Sequence, residues 1–151
     1  MSLNVEAADM SLGAVFASMT SPFVPDDYIK SQCAYSQYYA GFGFYGTLST
    51  ISTHTMCKVK KASAGSFVFT GEVVSLPLTV TFTPGWNYVP CPYQVSTALG
   101  WAFGSLALAS GDTLKSQMQF STYYEGFGWF GQLVSLEPGQ GYEMKTAGNL
   151  R

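Results

Sequence analysis

Alternating apolar and polar residues dominate this chain and predict a mainly β structure. Runs rich in Tyr, Phe, Val and Thr, bounded by Gly, Pro and Ser, cover residues 28–39, 46–51, 56–62, 67–74 and 78–83, and recur near Thr113, Gly131 and Tyr142. Helical spacing of apolar residues is confined to residues 9–19 and 96–108. We therefore predict a predominantly β (α+β) fold with two short helices.

The chain contains the same pattern twice. Residues 27–48 match residues 112–133 without a gap, and residues 10–19 match residues 97–106 after a two-residue shift. Twelve positions of the longer match are identical: Asp27, Lys30, Ser31, Gln32, Ser36, Tyr38, Tyr39, Gly41, Phe42, Gly43, Gly46 and Leu48. Chance would give roughly one or two at ordinary residue frequencies. The repeat predicts two pseudo-symmetric units that share one core.

The repeat also divides the chain. Residues 1–62 form the predicted first repeat and residues 63–151 the second, together making a single globular domain long enough to bury a core. The second repeat begins with a predicted lead-in strand, residues 78–89, for which the first repeat has no counterpart. We expect the chain to be a fragment whose first unit lacks that strand.

The composition favours contact between protein surfaces. Charged residues make up 11% of the chain and aromatic residues 16%, with a net charge of −2, whereas ordinary soluble domains contain about 25% charged residues. So little surface charge gives weak protection against association between copies, which favours self-assembly. The alternative interpretation is an aromatic-rich β domain that stays monomeric. The only arginine is Arg151 and the only basic cluster is residues 58–61, so we expect no nucleic-acid partner.

Residues that could carry chemistry are sparse. The glycine pattern of residues 41–46 and 126–131 imitates a dinucleotide-binding loop, but strand-like sequence follows it where that loop needs a helix. His54 is the only histidine, and no acidic residues cluster near it in the sequence. We predict no catalytic residue, no metal site and no cofactor, and therefore no enzyme.

The three cysteines and the hydropathy pattern bear on the redox compartment of the protein and on whether it spans a membrane. Cys33, Cys57 and Cys91 cannot all pair with one another and lack metal-site spacing, which favours free, mostly buried thiols in a reducing compartment. No apolar run is long enough to span a bilayer; residues 95–109 come closest.

Aromatic side chains are the candidates for binding or assembly. Alternation along strands should bury about half of them in the core. The remainder could stack on sugars, helped by Gln32, Gln117 and Asn87, or pack against a neighbouring subunit. The candidate rings include Tyr38, Tyr39, Tyr123 and Tyr124, and the predicted contact residues are Phe42, Phe44, Tyr45, Trp86, Phe127, Trp129 and Phe130.

Four segments carry a resemblance to known proteins. Residues 84–88 (PGWNY), 111–117 (GDTLKSQ), 123–131 (YYEGFGWFG) and 136–142 (LEPGQGY) resemble a repeat of bacterial secreted proteins and of the pyrenoid shell (PyShell) proteins of diatoms and related algae. The first copy departs from the pattern by having Thr53-His54 where the second has Pro138-Gly139.

Resemblance to the shell proteins implies a non-enzymatic subunit that self-assembles into a protein sheet around the Rubisco-containing pyrenoid. The implied location is the chloroplast stroma, at the pyrenoid periphery. The implied partners are further copies of the chain in a homo-oligomer or lattice, with Rubisco or other pyrenoid proteins as further candidates. Resemblance to the bacterial repeats implies the alternative, a secreted or cell-surface module that binds carbohydrate or another surface.

Overall fold

The structure, a computed structural model, describes residues 1–148 and Leu150. Asn149 and Arg151, which fall in the predicted second repeat, lie outside the described residues. The helices are α1 (Leu12–Val15) and α2 (Leu99–Ala102). The described strands, in chain order, are β1 (Val5–Glu6), β2 (Tyr28–Lys30), β3 (Tyr35–Tyr39), β4 (Gly43–Gly46), β5 (Lys58–Lys60), β6 (Glu72–Val73), β7 (Gly85–Val89), β8 (Thr97–Ala98), β9 (Thr113–Lys115), β10 (Phe120–Tyr124), β11 (Gly128–Gly131), β12 (Ser135–Leu136) and β13 (Tyr142–Thr146). The predicted β-rich fold with two short helices is confirmed.

Two antiparallel sheets, one from each copy of the repeat, form the body of the molecule. The first sheet has the order β4-β3-β2-β5, and the second has the order β11-β10-β9-β13-β7. Their registers agree: Ser36 pairs with Gly46 as Ser121 pairs with Gly131. The second sheet has a fifth strand, β7, which pairs with β13; within residues 1–148 and Leu150, no counterpart of β7 lies beside β5. The predicted pseudo-symmetry of the two units stays a prediction.

Several predicted strands differ from those observed. The run over residues 28–39 is divided into β2 and β3 by a tight turn, in which the Ser31 N–H donates to the Ala34 carbonyl at 2.8 Å. The run over residues 46–51 is mostly a loop, because β4 begins at Gly43 and ends at Gly46. Only Glu72–Val73 of the predicted strand 67–74 is a strand, and residues 78–83 contribute a single bridge from Phe82 to Leu150.

Both helices are shorter than the sequence predicts. The Ser11 hydroxyl caps α1 by accepting the Ala14 N–H at 3.2 Å. One turn later each helix ends, and Gly13 and Gly100 lie inside these two segments. Glycine disfavours helix by about 1 kcal/mol relative to alanine, which limits propagation beyond a single turn.

The buried side chains form two clusters rather than the one shared core that was predicted. The first cluster includes Val15 and Ile29, and the second includes Leu99 and Leu114. The reason is local: in each copy the helix packs on its own sheet. Residues 63–74 pack with the first copy, since β6 pairs with β1 and the Phe67 ring lies 4.8 Å from that of Phe16.

A polar seam joins the two copies. The Asn4 side chain donates to the Tyr93 carbonyl at 2.8 Å, and the Cys91 N–H donates to the Ser2 hydroxyl at 2.9 Å. Lys58 of the first sheet forms an ion pair with Glu143 of the second. The seam therefore places the two sheets side by side while each keeps its own buried cluster.

Candidate functional site

The glycine-rich segment of each copy forms the tip of a β hairpin. In the first copy the Phe42 N–H donates to the Tyr39 carbonyl at 3.1 Å, and Gly41 and Gly43 both have φ of +80°. Glycine adopts this left-handed backbone at little cost, so the chain can turn tightly. Strand β4 follows directly, and the segment lacks the helix N-terminus that a dinucleotide loop needs. The turn instead projects Phe42, which is 89% exposed.

Alternation along the hairpin strands places further rings on the outer face of each sheet. Ser36 is buried towards the core, and its neighbours in β3 point the other way. We define the first aromatic face as Tyr35, Tyr39, Phe42 and Tyr45, all exposed. The equivalent residues, each 85 positions later, form the second aromatic face: Phe120, Tyr124, Phe127 and Phe130, also exposed.

Ring contacts help to hold these faces in place. The Tyr124 and Phe130 rings pack edge to face with centroids 5.8 Å apart, and Tyr28 and Tyr35 lie 5.4 Å apart. Preferred ring geometries of this kind add roughly 0.5–1.5 kcal/mol per pair. These contacts restrict the orientations of Tyr35, Tyr124 and Phe130 within the folded chain.

At the seam between the sheets, two lysines share one carboxylate. Glu143 forms ion pairs with Lys58 and with Lys115, the latter at 2.9 Å. Burial alone would raise the pKa of the Glu143 carboxyl, but the two lysines hold it below its ordinary value. The Lys115 ammonium also lies 4.5 Å from the centre of the Trp86 ring. Glu143 is thus held between the two sheets by one lysine from each of them.

Five of the seven predicted contact residues are exposed: Phe42, Tyr45, Trp86, Phe127 and Phe130. The other two, Phe44 and Trp129, lie on the inner face and are only partly exposed. The Phe44 ring packs edge to face on Phe23 at 4.7 Å, and the Trp129 ring lies 5.8 Å from Phe103. These two rings support the buried clusters and are poorly placed to meet a partner.

Sequence reasoning missed two members of the faces and did not select two others. Tyr35 and Phe120 were not among the candidate rings, and Tyr39 and Tyr124 were candidates but not among the predicted contact residues. Strict alternation from the buried Ser36 and Ser121 would have identified them. The error was to treat residues 28–39 as one strand, which concealed the start of β3.

Groups with catalytic potential are scattered. His54 is exposed, with its Nδ1 atom 3.5 Å from the Thr53 hydroxyl. Among residues 1–148 and Leu150, no group of three or more His, Cys, Asp or Glu side chains could hold a metal ion. Cys57 and Cys91 are buried and Cys33 is exposed, and none forms a disulfide. Burial raises the pKa of the Cys57 thiol to about 11, which disfavours a reactive thiolate.

Two concavities lie beside the sheets. One, of about 430 Å³, lies between α2 and β11 and is lined by Phe103, Trp129 and Leu133. The larger, of about 720 Å³, runs along β5 and is hereafter called the β5 groove. As for membranes, each described helix has four residues, too few to cross a bilayer.

No family model matches this chain. No curated protein and no solved structure matches it either.

Proposed function

We propose that the protein is a structural subunit that self-assembles into a sheet or shell. The observation that supports this is the pair of equivalent, exposed aromatic faces. Large contiguous apolar patches on a folded protein mark surfaces that meet a partner. A duplicated patch suits repeated contacts between copies better than it suits a single reaction centre.

The area of the faces is sufficient for a stable contact. An aromatic side chain can bury about 150–250 Å², so eight rings that are roughly half exposed or more present on the order of 900 Å². A standard protein interface buries about 800 Å² on each partner. The two faces could therefore support one such interface, or two smaller ones.

Duplication also influences the geometry of assembly. Because the two faces use the same chemistry in the same strand register, each subunit can offer one face to each of two neighbours. Contacts that do not close on themselves extend into open arrays. The low net charge of −2 adds little repulsion between copies.

The resemblance to pyrenoid shell proteins suggests where such an array would form. In that proposal the sheet encloses Rubisco at the pyrenoid periphery of the chloroplast stroma, with one side of the array towards Rubisco. Unpaired Cys33, Cys57 and Cys91 suit a reducing compartment of this kind.

Electron microscopy of the purified chain over a concentration and salt series tests assembly. Sheets, tubes or ordered arrays are expected for the wild type. The double variant Phe42→Ser/Phe127→Ser should raise the concentration needed for assembly at least about tenfold, because both exposed hairpin tips lose their rings. Val68→Ser is the matched control, since Val68 is 77% exposed and lies outside both faces. Particles that stay monodisperse at all concentrations would contradict the proposal.

A secreted carbohydrate-binding module is the second candidate, because flat aromatic faces can also stack on sugar rings. Two of its expected polar contacts are already engaged within the molecule. The Asn87 amide donates to the Thr83 carbonyl at 2.8 Å, and the Gln32 amide donates to the Trp86 carbonyl at 3.0 Å. Saturable binding on a glycan array by a monomeric protein would favour this candidate.

A further inference from the structure

The two sheets differ at one edge. In the second sheet, β7 covers β13, pairing Asn87 with Met144 and Val89 with Tyr142. Strand β5 is the counterpart of β13, but the first sheet ends there. The pairing of β7 with β13 therefore indicates which kind of strand could pair with β5.

Part of that edge is already paired. The Cys57 N–H donates to the Met1 carbonyl at 2.8 Å, and the Met1 ammonium donates to the Cys57 carbonyl at 2.7 Å. Met1 thus pairs with Cys57 as Val89 pairs with Tyr142. Alternate residues of a strand direct their backbone groups to the same edge, so Val59 and Lys61 present theirs beside Met1. Among the described residues, no strand pairs with Val59 on this side.

The β5 groove lies along this open edge. Phe16, Met19 and Phe67 supply apolar lining, and the groove has a volume of about 720 Å³. Val59 is only partly buried, whereas its equivalent Met144, covered by β7, is fully buried. The groove corresponds to the space that β7 fills in the other copy.

Each copy has a glutamine at the same position of the repeat: one borders β7 and the other borders the β5 groove. Gln32, in the turn between β2 and β3, donates from Nε2 to the Trp86 carbonyl at 3.0 Å and accepts the Tyr88 N–H on Oε1 at 2.5 Å. Its side chain thereby closes the outer edge of β7. Gln117 is its equivalent; it is exposed, lines the β5 groove and has no side-chain hydrogen bond to the described residues.

We propose that the β5 groove binds an extended peptide strand other than β7, antiparallel to β5 and between Val59 and Gln117. Its chemistry would match residues 83–87, with glycine opposite Lys61, an aromatic opposite Lys60 and asparagine opposite Val59, so that the strand ends one residue short of Met1. Lys115 lies over the Trp86 ring, so its equivalent Lys30 is placed to contact the incoming aromatic side chain. Strand addition of this kind gains affinity from main-chain hydrogen bonds.

A strand exchanged between copies of this chain does not fill the groove. Within the described residues each copy of the chain has one such strand, β7, and two edges of this kind, so donating β7 to a neighbour exposes the edge of the donor's own second sheet. The occupant is therefore a strand of matching chemistry other than β7. Binding at this groove does not depend on self-assembly through the aromatic faces.

Nuclear magnetic resonance of the isotope-labelled full chain tests the proposal. The probe is an amidated peptide with the sequence of residues 83–87, Thr-Pro-Gly-Trp-Asn, whose C-terminal amide ends one residue short of Met1. We expect saturable one-to-one binding with amide shifts at Val59, Lys61 and Gln117. Absence of binding at millimolar peptide would overturn the proposal, as would shifts at Met144, since the peptide would then be displacing β7.

Backbone-methylated peptides supply a control that leaves the protein unaltered. Methylation of the asparagine nitrogen removes the N–H that would bond to Val59, so affinity should fall at least about tenfold. Methylation of the tryptophan nitrogen, which points away from the sheet, should change affinity less than about threefold. Equal losses for both peptides would exclude strand addition.

Two protein variants test whether Gln117 borders the bound peptide on the side away from β5. Gln117→Ala should weaken peptide binding several-fold, because the incoming strand loses its outer hydrogen bonds. Gln119→Ala is the matched control: Gln119 is exposed in the same turn and does not line the groove. Identical affinities for the two variants would remove Gln117 from the site.

Discussion

Single residues explain why particular positions are identical in the two copies. The Asp27 carboxylate accepts the backbone N–H groups of Val24 at 3.0 Å and Ala62 at 2.8 Å. Asp112 accepts those of Ala109 at 2.9 Å and Ala147 at 3.1 Å. Each carboxylate ties the start of a central strand to the chain beyond the neighbouring strand. Both are buried, so no other residue type satisfies these donors as well.

Replacing either aspartate should destabilise the fold. Asp27→Asn and Asp112→Asn can each direct an amide N–H₂ at a backbone donor, leaving that buried donor unsatisfied. The free energy of unfolding should fall by about 1–3 kcal/mol for each. Urea denaturation at pH 7 measures the change, with the exposed Asp26→Asn as the control. Asp27 and Asp112 variants as stable as this control would contradict the assigned role.

Asp27 should also affect stability in acid. Burial alone would raise the pKa of its carboxyl, but the backbone donors and Lys61, 3.7 Å away, hold it below its ordinary value. A carboxyl with a lowered pKa stabilises the fold above its unfolded pKa of about 3.9, and this stability is lost as the pH falls through the folded value. Stability measured from pH 6 to pH 2 should therefore fall less steeply in Asp27→Asn. An acid limb identical to that of the wild type would contradict this.

The three thiols should differ in reactivity. Cys33 is exposed, whereas burial raises the pKa of both Cys57 and Cys91. Because the thiolate is the reacting form, Cys33 should be alkylated by iodoacetamide at pH 8 at least ten times faster, as followed by mass spectrometry. In Cys33→Ser the fast phase should disappear; a fast phase that persists would place another thiol at the surface.

At the level of elements, the hairpins depend on a close approach between strands. Gly46 and Gly131 have φ of +151° and +148°, and a Cβ atom at either would overlap the backbone of the neighbouring strand at Tyr35 or Phe120. Glycine is therefore required at both positions by space as well as by conformation.

Two alanine substitutions should have opposite effects. Gly131→Ala should lower the free energy of unfolding by about 2–4 kcal/mol, because strands β10 and β11 must separate. Gly13→Ala, in helix α1 where no atom lies within 4 Å of the added methyl group, should stabilise by up to about 1 kcal/mol. Thermal unfolding followed by circular dichroism compares the two. A stable Gly131→Ala protein would show that the strands tolerate a wider spacing.

The repeat made much of the element order predictable, but not the limits of the elements. Strands β2, β3 and β4 share their registers with β9, β10 and β11, which is the correspondence that the aligned residues imply. The predicted helices were too long, because the helical spacing of apolar residues continues well beyond Gly13 and Gly100 whereas each helix ends two residues after its glycine. Residues 67–71 read as a strand, yet Val68 bonds to the Ser18 side chain instead of to a strand. Tertiary contacts of this kind leave no periodic signal in the sequence.

On the scale of the whole molecule, net charge should regulate association. The chain carries a net charge of −2 at pH 7 and has a pI near 5.2, so lowering the pH towards 5 removes the remaining repulsion between copies. Static light scattering should therefore rise between pH 8 and pH 5, and the double variant Phe42→Ser/Phe127→Ser should rise less. Scattering lowest near pH 5.2 would show that net charge does not limit association.

The candidate site was only partly predictable from the sequence. Hairpin-tip Phe42 and Phe127 were identified, because a glycine-flanked aromatic in a turn has little core to enter. Phe44 and Trp129 were wrongly predicted to be contact residues. The face of the sheet on which a side chain lies depends on the residue at which its strand begins. The β5 groove depends on the partner of one sheet edge, which only the assembled strands reveal.

The polar seam has a consequence for a chain that has been cleaved by a protease. Every strand pair within 1–148 lies wholly before Ser75 or wholly after Leu76, and so does each buried cluster. A protease cut between these two residues would sever no ladder and open neither cluster. The two pieces would remain together as a non-covalent heterodimer, held by contacts such as Asn4 with Tyr93 and Lys58 with Glu143. Such a pair could be separated by mild denaturant and mixed again, giving a split form of the protein whose reassociation can be titrated.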